Sequence, residues 1–136
     1  MLSEEEYEVP EDLLYNSTHE WVKQEDGIVV LGVTDYAQKM LHEIVYVELP
    51  KKEAKVSKGE SFMSVESIKA VSDIYAPVSG KVVEVNGELE SYPEKVNEAP
   101  YGEGWLVKIK ASAWEKESSE LLGVKAYKKV IEEESR

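Results

Sequence analysis

Lys69 stands in the run Val65-Glu66-Ser67-Ile68-Lys69-Ala70-Val71, between two strand-like segments of a chain with no cysteine. An exposed lysine at such a polar tip is an acceptor for acylation, which turns a cationic amine into a neutral amide. Without cysteine there is no disulfide, no thiolate metal site and no cysteine nucleophile, so any thiol chemistry needs an added group. His19 and His42 lack companions at zinc-ligand spacing and read as ordinary hydrogen-bonding histidines. Neither a Ser-His-Asp arrangement nor a metal-ligand cluster is present in the sequence, so the chain does not read as an enzyme.

The elements that must position Lys69 are short strands. A strand over 19–23 is followed by Asp26-Gly27, a strong tight-turn pair. Ile28–Val33 is β-branched and reads as a buried strand. Thr34 caps a short helix over 35–41. Residues 43–49 alternate, with Ile44 and Tyr46 on one face and Val45, Val47 and Leu49 on the other, and Pro50 ends the segment. Strands are expected over 61–66, 71–75, 81–85 and 104–109, with turns at Lys58-Gly59, Pro77–Gly80 and Pro93–Asn97, and a helical or turn segment over 86–90. Between Glu66 and Val71 no Gly, Pro, Asn or Asp marks a turn, so generic turn chemistry does not establish a hairpin there. Leu121, Leu122, Val124, Tyr127, Val130 and Ile131 recur at helical spacing, with Gly123 dividing this region.

Gly27-Ile-Val-Val-Leu-Gly-Val33 echoes Gly80-Lys-Val-Val-Glu-Val-Asn86 at an offset of 80 − 27 = 53 residues, which suggests two similar halves. Many short strands with turn signals imply a small sandwich or barrel. With 136 residues, one domain is expected: a flexible acidic lead-in over 1–8, a β domain over 9–111, and a C-terminal helical extension over 112–136 packed on it. The net charge of −12 disfavours nucleic acid, and no apolar stretch reaches membrane-span length. The acidic N-terminus resembles neither a secretory signal nor a transit peptide. The expected location is therefore cytoplasmic, or the mitochondrial matrix only if a presequence has been removed.

The chain resembles the glycine cleavage H protein family through motifs in one order. They are Thr18-His-Glu-Trp21, Gly32-Val-Thr-Asp-Tyr-Ala-Gln38, Ile44-Val-Tyr-Val-Glu-Leu-Pro50, Val65-Glu-Ser-Ile-Lys-Ala70, Ala76-Pro-Val-Ser-Gly80, Glu84-Val-Asn86 and Val96-Asn-Glu-Ala-Pro-Tyr-Gly-Glu-Gly-Trp105. The resemblance spans about Tyr15 to Tyr127. It implies a mainly β, lipoyl-domain-like barrel-sandwich hybrid with short helices and a C-terminal helical extension. It also implies a monomeric, non-catalytic carrier with lipoate in amide linkage on Lys69 and Glu66 as a ligase-recognition element. Thr18, Glu20 and Asp73 would form the cleft for the aminomethyl-loaded arm, where carboxylates suit a partly desolvated ammonium.

The implied partners are a pyridoxal-phosphate glycine decarboxylase, a tetrahydrofolate-dependent aminomethyltransferase, dihydrolipoamide dehydrogenase, and a lipoate–protein ligase or lipoyl/octanoyl transferase. An H-like carrier serving lipoate relay or lipoate-linked sulfur metabolism is the alternative. A biotin carrier is disfavoured because Ile68 and Ala70, not Met, flank the lysine. A dehydrogenase lipoyl domain is disfavoured by Ile68 and by residues 113–136. Two departures stand out: Glu53 and Met63 occupy positions where this family usually has glycine. The first puts the usual turn in question, and the second adds bulk in the strand leading to Lys69.

Overall fold

The computed structural model describes residues 7–135. Nine strands form two antiparallel sheets. The larger has the order β1 (Leu14–Tyr15), β2 (Glu20–Glu25), β3 (Ile28–Val33), β9 (Val107–Ala111), β8 (Gly80–Val85) and β5 (Lys55–Val56). The smaller contains β4 (Ile44–Glu48), β6 (Ser61–Ser67) and β7 (Val71–Tyr75), with β6 central. Helices α1 (Asp35–Leu41), α2 (Lys95–Glu98), α3 (Trp114–Ser118) and α4 (Val124–Glu134) decorate them, with a 3-10 turn over Gly87–Glu90. The mainly β architecture with short helices and a helical C-terminus is the one expected.

Local chemistry explains much of this. Asp26 and Gly27 both take positive φ (51° and 81°), as the tight hairpin between β2 and β3 demands. Thr34 accepts the Ala37 N–H at 3.2 Å and so caps α1. The internal echo has a structural basis: β3 and β8 flank β9, and Val29 and Val82 both lie opposite Ile109, while Ile28 and Lys81 both lie opposite Lys110. Equivalent residues of the echo thus meet the same residue of β9, one from each side, within one sheet.

The alternation expected for 43–49 does not hold. A bulge between Ile44 and Tyr46 leaves Ile44 and Val47 buried and both Val45 and Tyr46 exposed. The extra residue turns the chain by half a pleat, so Tyr46 faces away from Ile44. The last strand begins at Val107, because Gly104 is spent in a turn that lies against the backbone of Lys95 and Ala99. Pro93–Asn97, read as a turn, leads into α2. Leu121 and Leu122 precede α4: Leu122 exchanges backbone hydrogen bonds with Tyr15 at 2.8 and 2.7 Å, which stops the helix from extending back. Strands β1 and β5, two residues each, carry no sequence signal of their own.

Two apolar clusters hold the chain together. Val22, Val29, Leu31, Val47, Val65 and Ile109 belong to the one drawn from both sheets. Tyr15, Trp21, Tyr36, Tyr127 and Ile131 belong to the other and fix α4, with Tyr15 and Tyr127 stacked at 4.6 Å. Of the expected lead-in, residues 1–6 lie outside the described residues. Tyr7 is buried edge-on to Tyr36, and the Glu8 N–H donates to Asp35 Oδ2 at 2.9 Å, so the chain is already docked at residue 7.

The two departures are accommodated. Glu53 keeps a left-handed φ of 74° and pairs with Lys81 at 2.9 Å. Met63 is buried in the main core beside a register shift in β6.

Gly32 shows how close the packing is. A Cβ there would lie 2.7 Å from Trp21 Nε1, opposite it in the β2–β3 ladder, and Trp21 is fixed by donating to the Pro100 carbonyl at 2.9 Å. Gly32→Ala is expected to lower unfolding stability by about 1–3 kcal/mol through overpacking, measured by urea denaturation.

Candidate functional site

Lys69 is exposed at the tip of the β6–β7 hairpin, and its Nζ has no hydrogen bond or ion pair with any described residue. The turn is closed by Ser67. Its N–H donates to the Ala70 carbonyl at 2.8 Å, while its hydroxyl accepts the N–H groups of Lys69 (3.1 Å) and Ala70 (3.0 Å). Serine substitutes here for the Gly or Asn of commoner hairpins, because its side chain satisfies the tip's own backbone donors. That is the signal available in the sequence for a hairpin that the usual turn residues do not mark. The Ile68 N–H also donates to the Glu43 carbonyl at 3.1 Å, tying the tip to the entrance of β4.

Glu66 lies exposed on β6, three residues before Lys69, opposite Tyr46 on one side and Val71 on the other. Thr18 and Glu20 are brought together: the Thr18 hydroxyl donates to Glu20 Oε1 at 2.5 Å. Glu20 is only 1% exposed. Its Oε1 also accepts Asn16 Nδ2 at 3.0 Å, and its Oε2 accepts the Tyr75 N–H at 3.1 Å. One carboxylate therefore ties β2 and the Asn16–Thr18 turn to β7, which belongs to the other sheet. Asp73 is exposed on β7, in line with Ser64 and Glu48 across the smaller sheet. It is two residues from Tyr75 and makes no hydrogen bond to Thr18 or Glu20.

A cavity of about 210 Å³ adjoins this region. It is lined by Thr18, His19, Tyr36, Met40, Leu41 and Ser72, among others, and Ser72, on β7, follows Lys69 by three residues. An apolar wall bearing hydroxyls suits an alkyl chain ending in sulfur and a polar group, so the residues present fit a lipoyl arm on Lys69. His19 hydrogen-bonds through Nδ1 to the Tyr127 hydroxyl (2.8 Å) and through Nε2 to Glu134 (2.9 Å), which brings α4 to the cavity wall. Tyr36, Met40, Ser72 and Glu134 were not singled out by sequence. Their approach depends on tertiary packing of α1, β7 and α4, for which local patterning carries no signal.

Burial pushes the Glu20 carboxyl up to about 7, against the opposing pull of its hydrogen bonds from Thr18, Tyr75 and Asn16. Among the described residues, no group of three or more His, Asp or Glu could hold a metal ion, and no helix is long and apolar enough to cross a membrane.

The chain is similar to known proteins over most of its length. Residues 13–134 match the family model described as glycine cleavage H-protein. The chain is 53% identical over 126 residues to the glycine cleavage system H protein of Carboxydothermus hydrogenoformans, covering 93% of this chain and 96% of that protein. It is 53% identical over 128 residues to the probable glycine cleavage system H protein of Pyrococcus furiosus, covering 93% and 95%. The crystal structure of the H protein from Mycobacterium marinum superposes with a TM-score of 0.80 at 39% identity, covering 88% of this chain and 95% of that one.

The raised Glu20 value fixes a pH dependence. A carboxyl titrating higher in the folded state than in the unfolded one contributes stability fully below about pH 4.5, and that contribution is lost as pH climbs through about 7. The loss of unfolding free energy between pH 5 and pH 8 is expected to be about 2–3 kcal/mol larger for the wild type than for Glu20→Gln, measured by urea denaturation at both pH values.

Proposed function

The chain belongs to the glycine cleavage H-protein family and so is a non-catalytic, lipoyl-carrying shuttle of glycine cleavage; from that premise we propose that Lys69 bears the lipoyl group and that the neighbouring cavity receives the loaded arm. The observation that carries this reading is the exposed Lys69 side chain, held forward by the Ser67 turn beside a cavity with an apolar wall and hydroxyls. When attached, the lipoyl group supplies a dithiolane whose sulfurs carry the one-carbon unit, a role no side chain of this cysteine-free protein could take.

The protein's own residues have three tasks in this reading. Ser67 holds the attachment point in a fixed turn, so that Lys69 projects from the sheet. Met40, Leu41 and Tyr36 offer apolar surface that excludes water from the cargo, which hydrolysis would release as formaldehyde and ammonia. Thr18 and Glu20 receive the cargo's ammonium. Thr18 is exposed and lines the cavity; its hydroxyl proton is committed to Glu20, so its oxygen lone pairs are free to accept from the ammonium. Glu20 stands behind it as the counter-charge, and an arriving cation favours the ionised carboxylate against the effect of burial. Asp73 adds negative charge from β7, and Glu66 marks the hairpin for the enzyme that modifies it.

In the same proposal the pyridoxal-phosphate glycine decarboxylase loads the arm, and the aminomethyltransferase passes the carbon to tetrahydrofolate and releases ammonia. Dihydrolipoamide dehydrogenase then reoxidises the dithiol. Family membership supports these assignments.

Lys69→Arg keeps the charge and the fold but offers no amine for amide formation. The variant is expected to melt as the wild type does and to support no glycine–bicarbonate exchange with the decarboxylase, where the lipoylated wild type does. Exchange at the wild-type rate would remove Lys69 from the carrier role.

A further inference from the structure

Among the described residues, the large hydrophobic side chains left exposed are Met40, Val45, Tyr46, Ile68, Val71 and Tyr92. Four of them surround the lysine tip. Tyr46 (52% exposed) and Val71 (64%) lie on either side of Glu66 in a single row across β4, β6 and β7, Ile68 (68%) precedes Lys69, and Val45 adjoins Tyr46. Regular pleating would have turned Tyr46 inward with Ile44. The bulge in β4 is what re-aims it outward, and bulges of this kind concentrate beside functional sites. Large apolar side chains left exposed together around one charged residue suit an interaction site.

We infer that Val45, Tyr46, Ile68 and Val71, grouped around Glu66, form the docking ledge for the enzyme that acylates Lys69 from an acyl-adenylate. Geometry selects this partner. The lysine Nζ attacks the acyl carbonyl, the amide C–N bond forms, the C–O bond to AMP breaks, and the nitrogen gives up two protons to the enzyme and solvent. That reaction takes place at the hairpin itself, so the enzyme must enclose Lys69 and the side chains next to it. An enzyme working on the sulfurs acts an arm's length away and has no such need. The ledge carries carboxylates, Glu66 within it and Glu43 and Glu48 beside it, all exposed. The complementary surface is an apolar step bordered by Lys or Arg. The inference rests on the reading of Lys69 as the acylated residue and adds to it the surface by which that lysine is recognised.

Initial rates of acylation by a purified lipoate–protein ligase with lipoate and ATP, at varied concentrations of the unmodified protein, test it. The double variant Tyr46→Ser/Val71→Ser is expected to raise KM for the protein substrate roughly tenfold with little change in kcat, the scale expected when buried apolar anchors are truncated. Tyr46→Phe, which keeps the apolar ring, is expected to hold the wild-type KM and shows that bulk rather than a general disturbance is being read. Unchanged KM in the double variant, with Lys69 still modified, overturns the ledge alone. Failure of the wild type to be acylated at Lys69 overturns both the ledge and the carrier reading. A larger KM increase in decarboxylase exchange by the pre-lipoylated double variant than in acylation assigns the surface to the other partner and also overturns the inference.

Discussion

The two sheets meet near the candidate site through a buried carboxylate. Glu20 sits on β2 of the larger sheet, yet its Oε2 accepts the Tyr75 N–H of β7 in the smaller one, while Oε1 gathers Asn16 and Thr18. A carboxyl group so enclosed is costly unless its oxygens are satisfied, and the hydrogen bonds that satisfy it fix the relative position of the Asn16–Thr18 turn and β7. The cavity wall draws on these same pieces, Thr18 from the turn and Ser72 from β7. Tension between desolvation and hydrogen bonding leaves the group titrating near neutrality. A carboxyl in that state is responsive to a nearby cation, as the carrier reading requires.

The hairpin that presents Lys69 relies on a different economy. A single serine hydroxyl closes the tip by accepting two backbone N–H groups, and the Glu43 carbonyl takes a third. The turn is thus ordered by short-range bonds, which leaves the outer face of β4, β6 and β7 free of packing duties near the lysine. A core in which Met63, Val65 and Ser67 point inward anchors the other face. Rigid support on one side and exposed apolar surface on the other present the lysine on a fixed tip.

Much of this was legible in the residues. Asp26-Gly27 and Thr34 carry their structural meaning in local chemistry, and the hairpin and cap form where those residues stand. The spacing of Tyr127 and Ile131 exposed the buried face of α4, whereas Leu121 and Leu122 shared the spacing but precede the helix: Leu122 is recruited by β1 and Leu121 packs against the main core. The recurrence between residues 27–33 and 80–86 reported two strands that share a partner. What patterning missed depends on contacts distant in sequence. The β4 bulge is set where Asn97 Oδ1 accepts the Ile44 N–H at 2.9 Å and its Nδ2 reaches the His42 carbonyl at 2.8 Å, neither of which alternation can report. Glu20 looks like one more acidic residue among 28 until tertiary packing encloses it. The motif resemblance picked out Thr18 and Glu20, and the structure shows them bonded to each other. Asp73, picked out with them, sits on an exposed strand face without a hydrogen bond to either.

The carrier role turns on one lysine bearing the lipoyl group. Its most direct test is peptide mapping by mass spectrometry of the protein after incubation with a lipoate–protein ligase, lipoate and ATP. One lipoyl increment is expected, confined to the peptide containing Lys69. An increment on another lysine, or none under conditions where a known lipoyl-carrying protein is fully modified, would contradict it.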